Sequence, residues 1–256
     1  MLTDPSFRNL LQRGSPVLSA WCGLPEPSVP GLLAREAFDA VTLDMQHGAI
    51  DFSAALRAVP LIAAAGKPAL VRIPVGDFAS ASRFLDAGAS GVIAPMINSV
   101  EDARRLAGFT KFPPVGERSW GPQGALALSG LEPAAYFQQA NELTVTFAMV
   151  ETREALAVID GILAVPGIDG VFIGPSDLSI ALSGGRELNP TAAEVEQALD
   201  HAVSRARAAG KLAAVYAASG SRAAELGRRG FQFISVASDT VLLRSGAQAA
   251  LAAARA

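Results

Sequence analysis

Short runs rich in Val, Ile, Leu, Phe and Ala recur along the chain, and most are followed by a longer stretch whose apolar residues return with a helical period. The runs near residues 16–22, 38–44, 68–73, 91–96, 144–150, 169–174, 211–216 and 231–236 predict eight strands. Helical patterns cover 51–65, 77–87, 99–108, 152–164, 191–209, 220–229 and 239–255, with a shorter helix at 27–37. A glycine stops several helices just before the next strand, as in Ala65-Gly66-Lys67, Ala87-Gly88-Ala89, Ala209-Gly210-Lys211 and Arg229-Gly230-Phe231. This rhythm of consecutive βα units predicts a (β/α)8 TIM barrel forming a single domain over residues 1–256. An open doubly wound sheet is the main rival. Eight units in succession, and no Gly-x-Gly-x-x-Gly turn after the first strand, weigh against it and against a nucleotide cofactor.

Composition narrows the partners. A chain of 256 residues that is 50% hydrophobic and 18% charged can bury a large core. Its net charge is −3 and its arginines are scattered, so it lacks the footprint of a nucleic-acid binder and a small-molecule partner is expected. The lone Cys22 and an amino terminus without signal-peptide character point to the cytoplasm. Every apolar run is interrupted well short of the roughly 20 residues that span a bilayer, which argues against a membrane partner.

Candidate chemistry gathers where predicted strands end. Glu151 and Asp177 each close an apolar run, the position at which a barrel enzyme displays the oxygen ligands of a divalent metal. Asp44 and His47 follow the second strand, and Arg72 lies in an otherwise apolar third strand, where a guanidinium needs an anionic partner such as Asp44 or Glu151. His47 is one of two histidines and suits proton transfer; His201 falls within a helix. The three lysines, Lys67, Lys111 and Lys211, sit at strand starts or in a connection, so none is placed for a Schiff base. Carbanion chemistry would then need a metal, and two carboxylates suit Mg²⁺, Mn²⁺ or a similar ion better than zinc. The irregular stretch from Pro113 to Gly130, with Arg118 and Trp120, is expected on the mouth side as a lid, a binding loop or a subunit contact.

The segments Asp44-Met45-Gln46-His47, Val71-Arg72, Pro95-Met96, Pro113-Pro114-x-Gly116-x-Arg118, Val150-Glu151-Thr152 and Phe172-Ile173-Gly174-Pro175-Ser176-Asp177-Leu178-Ser179 resemble, in order, those of the HpcH/HpaI aldolases. That family comprises metal-dependent (class II) pyruvate aldolases acting on hydroxy-ketoacids. The resemblance implies that Glu151 and Asp177 hold Mg²⁺, Mn²⁺ or Co²⁺, that the substrate carboxylate lies against Gly174, Ser176 and Asp177, and that Arg72 stabilises the enolate oxygen. It makes His47, supported by Asp44, the proton shuttle. It also implies that Asp86 serves a neighbouring subunit's site, that Trp21 and Arg118 line the substrate mouth, and that the chain forms a homo-hexamer of paired trimers, exchanging the helix at 239–255.

Two residues depart from the pattern. Met149 stands where many relatives carry Gln, and Gln46 where they carry an acid, so both changes remove polar or charged groups near the metal. The implied reaction is reversible cleavage of a 4-hydroxy-2-oxo acid to pyruvate and an aldehyde through a metal-stabilised enolate. A citramalyl- or malyl-CoA lyase and a catalytically silent ketoacid-binding barrel are the alternatives.

Overall fold

The computed structural model describes residues 7–256. Eight parallel strands, β1 (Val17–Cys22), β2 (Ala40–Asp44), β3 (Ala69–Arg72), β4 (Gly91–Ala94), β5 (Val145–Val150), β6 (Gly170–Ile173), β7 (Leu212–Ala217) and β8 (Phe233–Ser238), close into a barrel in sequence order. Strand β1 pairs with both β2 and β8, completing the ring. The fold class read from the sequence is therefore correct, and each predicted strand lies within two residues of its observed bounds.

Alternation along each strand divides the core in two. Inward-facing Val17, Ala40, Leu70, Ile93, Phe147, Phe172 and Phe233 fill the barrel, and the opposite faces pack beneath the surrounding helices. Phe147 stacks on Phe233 with ring centroids 5.7 Å apart, and Phe7 meets Phe233 edge-on at 5.6 Å. Phe7 belongs to a helix, Phe7–Leu11, that the sequence reading did not identify; its apolar side plugs the amino-terminal end of the barrel, the base.

The glycines read as helix stops do adopt left-handed backbone, with φ of 71° at Gly66, 101° at Gly88, 65° at Gly210 and 106° at Gly230. Side chains resist this conformation, so glycine there lets the chain reverse into the next strand. The predicted helix 152–164 is two short helices, Arg153–Ala157 and Ile159–Leu163, broken at Val158.

The larger correction concerns residues 111–144. Helix Val100–Thr110 follows β4 and returns the chain to the base, so the Pro113–Gly130 stretch lies at the base and not at the mouth. It is also partly helical: helix Gln123–Ser129 packs on the helix Phe78–Asp86, and helix Pro133–Leu143 leads into β5. A Cβ on Gly124 would stand 2.7 Å from the Ala87 carbonyl oxygen, so close approach of these backbones requires glycine. A cavity of about 330 Å³, bordered by Phe7, Lys67, Leu128 and Tyr136, occupies this end of the molecule, away from the strand-end carboxylates.

A buried ionic network ties the base together. Lys111 Nζ donates to Asp169 Oδ2 at 2.8 Å and to the carbonyls of Thr144 and Asn141 at 2.8 and 3.0 Å. Asp169 also accepts from the Thr146 N–H and from Arg8. Burial pulls the Lys111 ammonium below its ordinary pKa, against the opposing pull of Asp169. Removing one member of such a pair strands a charge, so Asp169→Ala is expected to cost about 3–5 kcal/mol, read as a lower urea midpoint.

Candidate active site

Arg72 and Asp44 form the centre of the mouth. They end adjacent strands at paired positions of the register. Arg72 Nε donates to Asp44 Oδ1 at 2.8 Å and Nη2 to Oδ2 at 2.7 Å, a bidentate pair with both side chains buried. Asp44 also accepts from Trp21 Nε1 at 3.2 Å and from the backbone N–H groups of Gln46 and His47 at 3.0 and 3.3 Å. Burial by itself would raise the Asp44 carboxyl, but the hydrogen bond and charge of Arg72, with those two N–H groups, hold it below the usual carboxylate range.

His47 lies one turn beyond the strand and is exposed. Asp44 holds its backbone N–H, and among the described residues the imidazole has no hydrogen-bond partner. The expected Asp44 support for the histidine is thus exerted on the loop rather than on the ring. A Cβ on Gly48 would run into the Asp44 carbonyl oxygen, so the loop turns as tightly as it does because residue 48 is glycine.

Glu151 follows β5 and is 1% exposed. Met96 donates its backbone N–H to Oε1 at 2.9 Å from a left-handed conformation, φ 54°, unusual for a side-chain-bearing residue. The other oxygen, Oε2, is buried with no partner among the described residues. Burial pushes the carboxyl up to about 7; the Met96 N–H opposes this, the charge of Asp177 adds to it, and Arg72 opposes it. An orphaned carboxylate oxygen, on a residue that feels the charge of a second carboxylate, fits a cation.

Asp177 sits in the first turn of helix Pro175–Ser183, which begins directly after β6. Pro175 suits the first helical position because its missing N–H has no intrahelical partner to lose. A Cβ on Gly174 would stand 2.6 Å from Glu151 Oε2 and 3.2 Å from Met149 Cε, so glycine leaves room for that oxygen. The Ser176 and Asp177 N–H groups, at the open helix start, have no intrahelical acceptor and suit an anion. Among the described residues no group of three or more His, Cys, Asp and Glu side chains converges as a metal cluster. Two carboxylates, Glu151 and Asp177, do come close enough at the strand ends to interact, a donor set that would leave further positions on a hard cation to substrate and water.

Aromatic residues form one wall. Trp21 is buried, lies under the Arg72 guanidinium at 4.7 Å, and meets Tyr216 edge-on at 5.5 Å. Tyr216 was missed in the sequence. It is the last inward position of β7, after Leu212 and Ala214, and a polar aromatic at that point of the alternation was the available signal. Burial raises its phenol pKa, while the charges of Arg72 and Asp44 pull in opposite directions.

Arg118 and Asp86 lie elsewhere. Arg118 was expected at the substrate mouth, but its fully buried side chain packs over Phe112 at 4.5 Å and bonds Asp86 Oδ1 at 2.6 Å at the base. The reason is topological: the loop carrying it leaves the carboxyl end of a helix. Asp86 ends helix Phe78–Asp86 and is partly exposed, facing away from this chain's own mouth.

Fold and site together define a (β/α)8 enzyme with its polar groups at the carboxyl ends of the strands. A sequence model of the HpcH/HpaI aldolase/citrate lyase family matches residues 19–246, and the chain belongs to that family. It is 41% identical to a hydroxypyruvate/pyruvate aldolase of Rhizorhabdus wittichii over 97% of this chain and 98% of the relative. A 4-hydroxy-2-oxo-heptane-1,7-dioate aldolase of Salmonella dublin is 34% identical over 95% and 92% of the two chains. The crystal structure of an HpcH/HpaI aldolase from Desulfitobacterium hafniense superposes with a TM-score of 0.88 at 27% identity, covering 97% of this chain and 96% of that one.

The raised Glu151 carboxyl makes stability depend on pH. The folded chain holds this proton more tightly than the unfolded chain, so metal-free stability should fall as pH rises from the ordinary carboxyl value of 4.5 to about 7. The loss is on the order of 3 kcal/mol, and thermal melts of metal-free protein should show it while Glu151→Gln abolishes that part of the slope.

Proposed function

We propose that this chain is a class II pyruvate aldolase that reversibly cleaves 4-hydroxy-2-oxo acids to pyruvate and an aldehyde. The observation that carries the reading is the pair Glu151 and Asp177 at the barrel mouth, with Glu151 Oε2 buried and unpartnered. These two residues would hold Mg²⁺, Mn²⁺ or Co²⁺, which when bound supplies Lewis-acid polarisation of the ketoacid carbonyl.

The chain's own groups do the rest. The Ser176 and Asp177 N–H groups, beside Gly174, receive the substrate carboxylate at the helix start. Arg72, fixed through Nε and Nη2 by Asp44, keeps Nη1 for the oxygen on which negative charge develops. In cleavage, His47 takes the proton of the 4-hydroxyl, the C3–C4 bond breaks, the aldehyde leaves, and the pyruvate enolate is protonated at its methylene carbon. In synthesis these steps reverse. Trp21 and Tyr216 wall the space for the aldehyde, and Met149 makes one corner apolar.

Assembly as a homo-hexamer of paired trimers, with Asp86 reaching a neighbour's site, belongs to the same reading. It is supported by helix Asp239–Ala254, which is exposed along nearly its whole length and carries Val241, Leu243 and Leu251 into solvent in the isolated chain. Arg118 then acts from the base as the anchor of Asp86. The absence, among the described residues, of a helix long and apolar enough to cross a membrane agrees with a small-molecule enzyme, and we assign it to the cytoplasm on its single cysteine.

Deuterium incorporation into the pyruvate methyl group, followed by NMR in D₂O, tests this without a choice of aldehyde. Exchange should require added Mg²⁺, Mn²⁺ or Co²⁺, should disappear in Glu151→Ala and Asp177→Ala, and should slow about a hundredfold in His47→Ala with metal still bound. Full exchange in either carboxylate variant would overturn the site. Pyruvate binding with no exchange under any metal would make the chain a silent ketoacid-binding barrel.

A further inference from the structure

The end of β8 is irregular in a way the catalytic residues leave unexplained. Its pairing with β1 slips by one residue between Ala20 and Trp21, so that Trp21 pairs with Ser238 and Ala237 is passed over. Ala237 takes a left-handed conformation, φ 51°, which an alanine adopts only when its surroundings impose it. The slip turns Asp239 inward, leaving it 3% exposed at the first position of the last helix.

That helix is already capped by Ser238, whose hydroxyl accepts from the Val241 N–H. Asp239 therefore serves something else. Its Oδ2 accepts from the backbone N–H groups of Gly23 at 2.9 Å and Leu24 at 2.8 Å, in the loop that follows β1, while Oδ1 accepts from Thr240 at 2.8 Å. The same loop grips the histidine loop: Gly23 O accepts from the Ala49 N–H at 2.8 Å, and a Cβ on Gly48 would stand 2.7 Å from Gly23 Cα. A continuous path of hydrogen bonds and backbone contact runs from Asp239 through Gly23 to Ala49 and to Gly48, which adjoins His47.

We propose that Asp239 is a positioning residue for His47, holding the histidine loop through Gly23 while Asp44 holds it at the end of β2. The inference rests on the proton-transfer reading of His47. Two loops fixed only at their strand ends have several backbone conformations of similar energy, and two N–H groups donating to one buried carboxylate select one of them.

A double-mutant cycle on pyruvate methyl exchange, with Mn²⁺ affinity measured separately by EPR, tests this. Asp239→Ala should lower the exchange rate constant about tenfold or more without changing Mn²⁺ affinity or the KM for pyruvate, since a displacement near 1 Å can cost that much. Asp239→Asn retains an oxygen for both N–H groups and should restore most of the rate. In the double variant with His47→Ala, Asp239→Ala should add no further loss.

Multiplying losses, or no loss in Asp239→Ala where His47→Ala is slow, would overturn the positioning role. A His47→Ala variant as fast as the parent would instead overturn the role of His47 itself. Should Asp239→Ala fail to fold, Asp239→Glu carries the cycle: it keeps the charge and moves the carboxylate by one methylene. The same loss, absent once His47 is removed, is expected; a Glu variant as fast as the parent would count against the proposal.

Discussion

The mouth of the barrel depends on one ion pair. Asp44 alone would be costly at its depth, and so would Arg72, because each would leave water without compensation. Paired in two parallel hydrogen bonds they satisfy one another, and the remaining capacity of Asp44 organises three other groups: the Trp21 indole and the backbones of Gln46 and His47. Arg72 is thereby held rigid with its guanidinium over the Trp21 ring, while the loop carrying the histidine starts from a fixed point. Asp44 thus helps the histidine by ordering its backbone.

The second carboxylate has the opposite environment. Glu151 is as deeply buried as Asp44, yet one of its oxygens has a single N–H donor and the other has none. With Asp177 adding like charge, the site favours a proton on Glu151 until something more positive replaces it. Burial raises both carboxyls, but the hydrogen bonds and charge of Arg72, with two backbone N–H groups, outweigh it at Asp44, whereas at Glu151 the Met96 N–H and the charge of Arg72 do not, and Asp177 adds to the rise. The first carboxylate organises the guanidinium and the loop, and the one left short of partners is the one on which the proposed metal site rests.

Base and mouth divide the labour expected of this fold. Ionic groups at the base, Lys111, Asp169 and Arg8, are fully engaged with one another and with backbone carbonyls, and they stabilise the connection between helices and strands. At the mouth Glu151 Oε2, beside the room that Gly174 leaves, and the N–H groups at the helix start after Pro175 stay without partners, while Met96 gives its N–H to Glu151 Oε1 from a left-handed backbone. The clasp from Asp239 adds a second support to the histidine loop, from the strand that closes the ring.

The sequence by itself determined the barrel, because eight buried runs with helix-stopping glycines between them admit few other arrangements, and each strand end was legible to within two residues. It also marked Glu151, Asp177, Asp44, Arg72 and His47, since charge at the end of an apolar run stands out. Tertiary structure decided what those patterns could not carry. Whether Arg72 pairs with Asp44 or Glu151 depends on strand register; that Pro113–Gly130 belongs to the base depends on which end of a helix it leaves, and this moved Arg118 from the mouth to Asp86. Tyr216 was marked only by a polar aromatic at the last inward position of its strand, and Asp239 looked like any helix-start acid. Their roles arise from neighbours about 195 and 215 positions away in sequence, Trp21 and the Gly23–Leu24 backbone, that only closure of the barrel brings into contact.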